Sequence, residues 1–227
     1  MPINAGAAVV IWSDTRTPDA WADWHSHEHL PERLALPGFL RGRRMQVVDE
    51  GLAPWFMLYE VEDACAMTSE AYLHSLNNPT EWSRRMMPNN LYLNRTLCRV
   101  AGGAAEGIGA FALPLVLDAR PGREDALRQW LQEDVLPDLA LSPVLTGARL
   151  MLNEDPRERP ETGEEQLRGH RNLSVDGVLL LEGFDEDALR LMARNLAADW
   201  VAHGSAVSPP IQVYRLAHAM TKVDMGL

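Results

Sequence analysis

The chain has 227 residues, 46% of them hydrophobic, enough for one large domain or two small ones with a proper core. A net charge of −11 argues against nucleic acid and anionic membrane surfaces as partners, since both need clustered positive charge. No apolar run approaches the ~20 residues of a membrane-spanning helix. The two cysteines, Cys65 and Cys98, make no disulfide framework, so inert buried thiols in a reducing, cytoplasmic setting are expected.

The first apolar run, AAVVIW (7–12), has no basic region ahead of it and reads as a strand rather than a signal peptide. A helix follows in TPDAWADWHSHEHLPERLAL, with Thr17 as N-cap and Pro18 at the first helical position. Pro31 should end or kink it, because proline lacks an N–H and disfavours the helical conformation at Leu30. Two strands come next, one through Arg44 and one in WFMLYEVED (55–63), then a helix over roughly 64–76 and a strand in LYLNRTLCRV (91–100). AGGAAEGIG (101–109) reads as a glycine-rich linker. Beyond it the order repeats: FALPLVL (111–117), a helix ending near Pro137, two strands around a charged stretch at 153–172, a helix over roughly 186–203, and a last strand in IQVYRLAHAM (211–220). The charged stretch reads as a loop.

Part of the repeat is visible residue by residue. Trp24 falls on Trp130, Leu30-Pro31 on Leu136-Pro137, and Pro37 on Pro143; after a one-residue gap, Gly42 falls on Gly147 and Arg44 on Arg149. Each copy reads β-α-β-β-α-β, the ferredoxin-like order. The expected fold is therefore α+β: two tandem ferredoxin-like βαββαβ units, 1–105 and 106–227, packed sheet to sheet as an intrachain α+β barrel. The motifs HLPERL (29–34), PGF (37–39), RGRR (41–44) and NNPTEWSRRMMP (77–88) resemble the EthD-like branch of the dimeric α+β barrel superfamily, closely in the first copy and weakly in the second. That resemblance implies a barrel built here from the two halves of one chain, as a monomer or a homodimer. It also implies a histidine, His29, where the first helix ends at the barrel mouth. Members include cofactor-free monooxygenases, lactone isomerases, dehydratases and haem enzymes, so the resemblance implies fold more sharply than reaction.

The candidate site is WHSHEHLPERL, which places three histidines and two glutamates between His25 and Arg33. His25, Glu28 and His29 have a spacing also used for zinc, with the two histidines one turn apart. Pro31 breaks that helix and no third ligand follows, so no metal and no cofactor are expected. A neutral imidazole at His29 can instead accept a proton, with Glu28 orienting it. Val135 replaces it in the second copy. A hairpin centred near Leu52 would set Arg44 opposite Glu60 inside the barrel, as a structural pair or as a holder of a substrate oxygen. Trp55, Trp82, His74 and His25 are candidate binding residues for a small hydrophobic or aromatic molecule in the lumen, whereas His27 reads as solvated. The expected activity is cofactor-free acid/base chemistry (isomerisation, dehydration or lyase cleavage, or oxygenation). The alternatives are a ligand-binding barrel without turnover and, less favoured, a metal- or haem-dependent enzyme.

Overall fold

In a computed structural model, which describes residues 5–49, 53–155 and 160–226, eight antiparallel strands form a closed barrel in the order β1-β3-β2-β8-β5-β7-β6-β4. The strands are β1 (Ala7–Thr15), β2 (Phe39–Val47), β3 (Trp55–Val61), β4 (Asn90–Glu106), β5 (Phe111–Leu117), β6 (Leu145–Asn153), β7 (Gly177–Gly183) and β8 (Tyr214–Thr221). The first four strands occupy one arc as β4-β1-β3-β2, and the last four repeat that arrangement as β8-β5-β7-β6. The arcs are joined by hydrogen bonding at both seams, β2 with β8 and β4 with β6, so the sheets meet edge to edge as well as through their inner faces. Closure removes the unpaired edges that two separate sheets would expose.

Residues 101–106, expected as linker, belong to β4, whose 17 residues reach from β1 across to β6. The glycines are there for contact. A Cβ at Gly102 would come within 2.8 Å of Leu136 Cδ1 and one at Gly103 within 3.1 Å of the Ala148 carbonyl oxygen. The charged stretch also differs from expectation. It holds a short helix, α7 (Gly163–Arg168), started by a capping box between Thr162 and Glu165 and ended by Gly169 at φ 75°. Leu173 then bridges to β4 at Asn94. Buried Glu164 and Glu165 explain why a polar sequence can be ordered here: its acids have cationic and capping partners.

The other helices cover the outer barrel surface: α1 (Pro18–Trp24), α2 (Leu30–Ala35), α3 (Glu70–Asn77), α4 (Glu81–Met86), α5 (Glu124–Trp130), α6 (Leu136–Ala140) and α8 (Glu186–Trp200). Pro31 does not end the first helix. A π-helical turn, His25–His29, carries the chain from α1 into α2, with the Leu30 N–H bonded to the His25 carbonyl five residues back. Leu131–Val135 does the same before Pro137, with Leu136 N–H bonded to the Leu131 carbonyl. A proline ring clashes with the carbonyl four residues before it, and a wider turn moves that carbonyl aside. Both halves use the device, so it belongs to the fold rather than to one site. Among the described residues, no helix is long and apolar enough to cross a membrane.

Strand parity gives three apolar layers. Val10, Phe56, Leu58, Met151, Leu180 and Tyr214 meet inside the barrel. Trp21, Trp24, Leu30, Phe39, Trp55 and Tyr59 lie between sheet and helices in the first half, and leucines dominate that place in the second. The β2–β3 register departs from the expected hairpin: Arg41 lies opposite Glu60, and Arg44 opposite Met57. The turn at Leu52 lies outside the described residues. Arg44 thus pairs three residues away from the expected partner, and an odd shift of register exchanges the two faces of a strand, so Arg44 points under the helices while Arg41 and Arg43 point inward.

Candidate functional site

The lumen carries a buried ion network. Glu60 accepts from Arg41 Nε, from Arg41 Nη2 at 2.7 Å and from Arg149 Nη1, while Glu182 accepts from Arg43 Nη1 and, at 3.2 Å, from Nη2. Glu60 faces Ala8 on β1 just as Glu182 faces Ala112 on β5. Arg43 lies opposite Leu58 and Arg149 opposite Leu180, so Arg149 corresponds to Arg43 and not to Arg44. Each arginine thus reaches the glutamate of the other half. Burial alone would raise the Glu60 carboxyl, but the Arg41 hydrogen bond and the charges of Arg43 and Arg149 outweigh it and hold it at about 2. The carboxylates are fully occupied by arginine, which suits a structural clamp.

The chemically open groups lie on the other face of the sheet, under the first helix. His25 is 1% exposed, its Nε2 is 3.0 Å from the Tyr59 hydroxyl, and its ring stacks on Trp21 at 5.0 Å. His29, one turn on and partly buried, rests against Trp24 with ring centroids 4.5 Å apart and lies 5.7 Å from His25. The Nδ1 atoms of both imidazoles are buried without a hydrogen-bond partner. Burial lowers both histidines well below their ordinary value. Arg44, His218 and Arg33 add to this at His25, and Arg33, His25 and Arg168 at His29. Burial also raises the Tyr59 hydroxyl, so the phenol stays protonated. The site therefore holds two neutral bases and one neutral acid near neutral pH.

Arg44 reaches this site from below. Its guanidinium lies 5.3 Å from the Trp55 ring and 6.0 Å from Trp21, and its Nη1 donates to the Ala22 carbonyl at 2.8 Å. Across the seam it faces His218, whose Nδ1 also lacks a partner. Glu28 is elsewhere: its Oε1 accepts from Trp24 Nε1 at 3.1 Å and from the hydroxyls of Thr80 and Ser83, tying the first helix to α4. Its carboxylate does not orient His29. Trp55 is buried against Trp21 at 5.4 Å, whereas Trp82 packs at the edge of the same core. His74 is exposed on α3 beside Asn78, and His27 is exposed and bonded to Asp23 at 2.8 Å. Cys65 is exposed rather than buried; Cys98 is buried, and burial pushes its thiol up to about 12.

Several residues went unrecognised in the sequence. Trp21 and Tyr59 complete the aromatic cage, and Arg33 is buried with bonds to Ser75 and to Glu164 of α7. A signal existed in the repeat once its register is right: Trp21 corresponds to Leu127, His25 to Leu131, Arg33 to Leu139, Arg44 to Leu150 and Tyr59 to Leu181. Each polar or aromatic group has a leucine counterpart. Among the described residues, no group of three or more histidine, cysteine or acidic side chains is placed to hold a metal ion.

No protein-family model matches the chain, and no curated protein matches it. Solved structures do. An anthrone oxidase-like protein superposes with TM-score 0.65 at 13% identity, covering 97% of this chain and 95% of that one. A candidate monooxygenase from Fusobacterium nucleatum gives TM-score 0.59 at 9% identity over 97% and 96% of the two chains. Chlorite dismutase from Candidatus Nitrospira defluvii gives 0.55 at 10% identity over 95% and 92%. At such identities the likeness is one of fold, and the fold is that of the dimeric α+β barrels.

Proposed function

We propose that this chain is a tandem duplication of ferredoxin-like units, divided as 1–105 and 106–227. Its first half is the active one, catalysing proton transfer on a small hydrophobic, aromatic compound. The observation that carries this reading is the pair of imidazoles whose Nδ1 atoms are buried and bare, set in an aromatic cage in one half and replaced by Leu131 and Val135 in the other. A buried polar atom without a partner costs about 1–3 kcal/mol, so a cluster kept against that cost, beside a leucine solution to the same packing problem, fits a working site. The substrate would lie against the outer face of the sheet rather than in the lumen.

His29, the partly exposed imidazole, acts as the neutral base. His25 and the protonated Tyr59 hydroxyl form the wall where negative charge develops on a carbonyl or phenolic oxygen. Arg44, stacked between Trp55 and the first helix, adds positive charge behind that wall. The likeness to an anthrone oxidase-like protein and to a candidate monooxygenase supports an acidic aromatic ketone as the substrate class. The test is carbon-bound proton exchange in D2O, followed by NMR for a panel of aromatic ketones with anthrone among them. Wild type should exceed buffer, and His29→Gln should lose about 10²–10⁴-fold, the usual contribution of a positioned base. Equal exchange by wild type and His29→Gln would sink the proposal. A second reading, a ligand-binding barrel without turnover, is favoured by the near-complete burial of His25; ligand retention without exchange would select it.

A further inference from the structure

A cleft of about 300 Å³ opens at the end of the first half, between α3, the outer face of β4 and residues 160–162 just ahead of α7. Its walls are apolar, with Met67, Leu73, Leu76 and Leu97 among them, and its volume is at the small end for ligand sites. Two arginines line it, Arg95 from β4 and Arg168 from α7. Both have weak partners. Arg95 donates to the Tyr72 hydroxyl at 3.2 Å and stands 3.8 Å from the Asp155 carboxylate, which itself accepts the Leu97 N–H at 3.1 Å. The Arg168 side chain is 5% exposed and its Nε has no partner. Nη2 donates to Asn172 at 3.0 Å, and Nη1 has only a thioether contact to Met87 at 3.8 Å and Glu164 at 3.8 Å. Glu164 is already engaged by Arg33. Burial holds the Arg168 guanidinium below its ordinary value and Arg95 pushes the same way, although Glu164 and Glu165 oppose them. Glu161 lies exposed at the rim.

We propose that this cleft binds a small apolar monocarboxylate, its body against the leucines and its carboxylate between Arg95 and Arg168. Two like charges sharing a desolvated cleft repel, and an anion between them relieves that repulsion while filling empty guanidinium donors. The Tyr72 hydroxyl accepts from Arg95, and its O–H can donate to the same oxygen. One carboxylate suits the site; a dianion would meet Asp155 and Glu161. The cleft lies apart from His25 and Tyr59, with the Tyr72 and Phe39 rings (5.8 Å apart) between them and Phe39 6.2 Å from Tyr59. The proposal therefore does not depend on proton-transfer activity.

Isothermal titration calorimetry on the whole chain tests it, with 2-naphthoate and octanoate as acids and 2-naphthamide as the neutral isostere. At least one acid should bind saturably at one site, and the amide at least about tenfold more weakly than naphthoate, the scale of a lost charged hydrogen bond. Arg95→Gln and Arg168→Gln should each weaken the acid about tenfold, and Leu73→Trp, which fills the cleft from a surface position, should abolish binding. If Arg168→Gln unfolds, because Arg168 also holds Asn172, Arg95→Gln and Leu73→Trp still decide the matter. His25→Leu should leave the affinity unchanged. No saturable binding of either acid at millimolar concentration, equal binding of naphthoate and its amide, or binding that survives Leu73→Trp overturns the proposal.

Discussion

The two halves of this barrel share one backbone plan and differ in what fills the layer between sheet and helices. Both have the same strand order, the same π-helical turn before a Leu-Pro pair, and an arginine reaching the other half's glutamate. In the second half the layer is mostly leucine, with Trp130 and Trp200; in the first, tryptophan, tyrosine, histidine and arginine enter it beside leucine and methionine. The backbone therefore does not require the polar groups, because the leucine layer supports the same turn and strands. What the fold needs can be read from features common to both halves, and what the first half does from features found only there.

The largest test concerns the shared network. Glu60 is bonded by Arg41 and Arg149, with Arg43 at 3.6 Å, whereas Glu182 is bonded by Arg43 alone, since Gly147 stands where Arg41 would be. Glu60→Gln should cost about 3–5 kcal/mol in urea unfolding, the scale of a broken buried pair, and Glu182→Gln less. Equal losses would mean that Arg41 adds nothing. Glu60 also sets an acid limit. Its carboxyl lies at about 2 in the fold against 4.5 ordinarily, so its stabilisation is complete above 4.5 and is lost as pH falls toward 2.

Next in size is a transplant of one polar group. Leu131→His should destabilise by about 2 kcal/mol, because the imidazole would enter a leucine layer with no hydroxyl at Leu181 to meet it. Stability unchanged by calorimetry would show that this layer tolerates polarity, and the argument from cost would fail.

The reverse exchange, His25→Leu, should stay within about 1 kcal/mol of wild type at pH 7.5, since it removes an unpartnered nitrogen while depriving Tyr59 of a partner. Its pH dependence is the sharper readout. His25 and His29 titrate well below 6.5 in the fold, so the unfolded chain binds protons that the folded chain refuses. Wild-type stability should thus fall as pH drops below about 6.5, and His25→Leu should flatten that slope. An unchanged slope would mean that His25 is not held neutral. The smallest expected effect is at His27→Gln, within about 0.5 kcal/mol by thermal unfolding, because an exposed histidine bonded only to Asp23 contributes little.

The sequence alone determined most of the order of strands and helices, because alternation and helical periodicity are local, and it drew attention to His25 and His29 through composition. It also marked the Leu-Pro pairs, though not the π turns that accommodate them. The inward face of Glu60 was legible in the sequence, but the face of Arg44 was decided only by the tertiary structure: an odd shift of hairpin register turns a strand over, and the hydrophobic pattern of RGRRMQV does not fix that register. The ordering of α7 was likewise a tertiary matter, since the buried Glu164 meets Arg33, which arrives from 131 residues away. Glu28 shows the same limit from the other side. Its nearness to His29 in sequence suggested an orienting role, while Thr80 and Ser83, brought by a distant helix, take its carboxylate instead. Local rules place elements and choose residue types. Pairing of charges and register across strands depends on which segments meet, and that is settled only when the barrel closes.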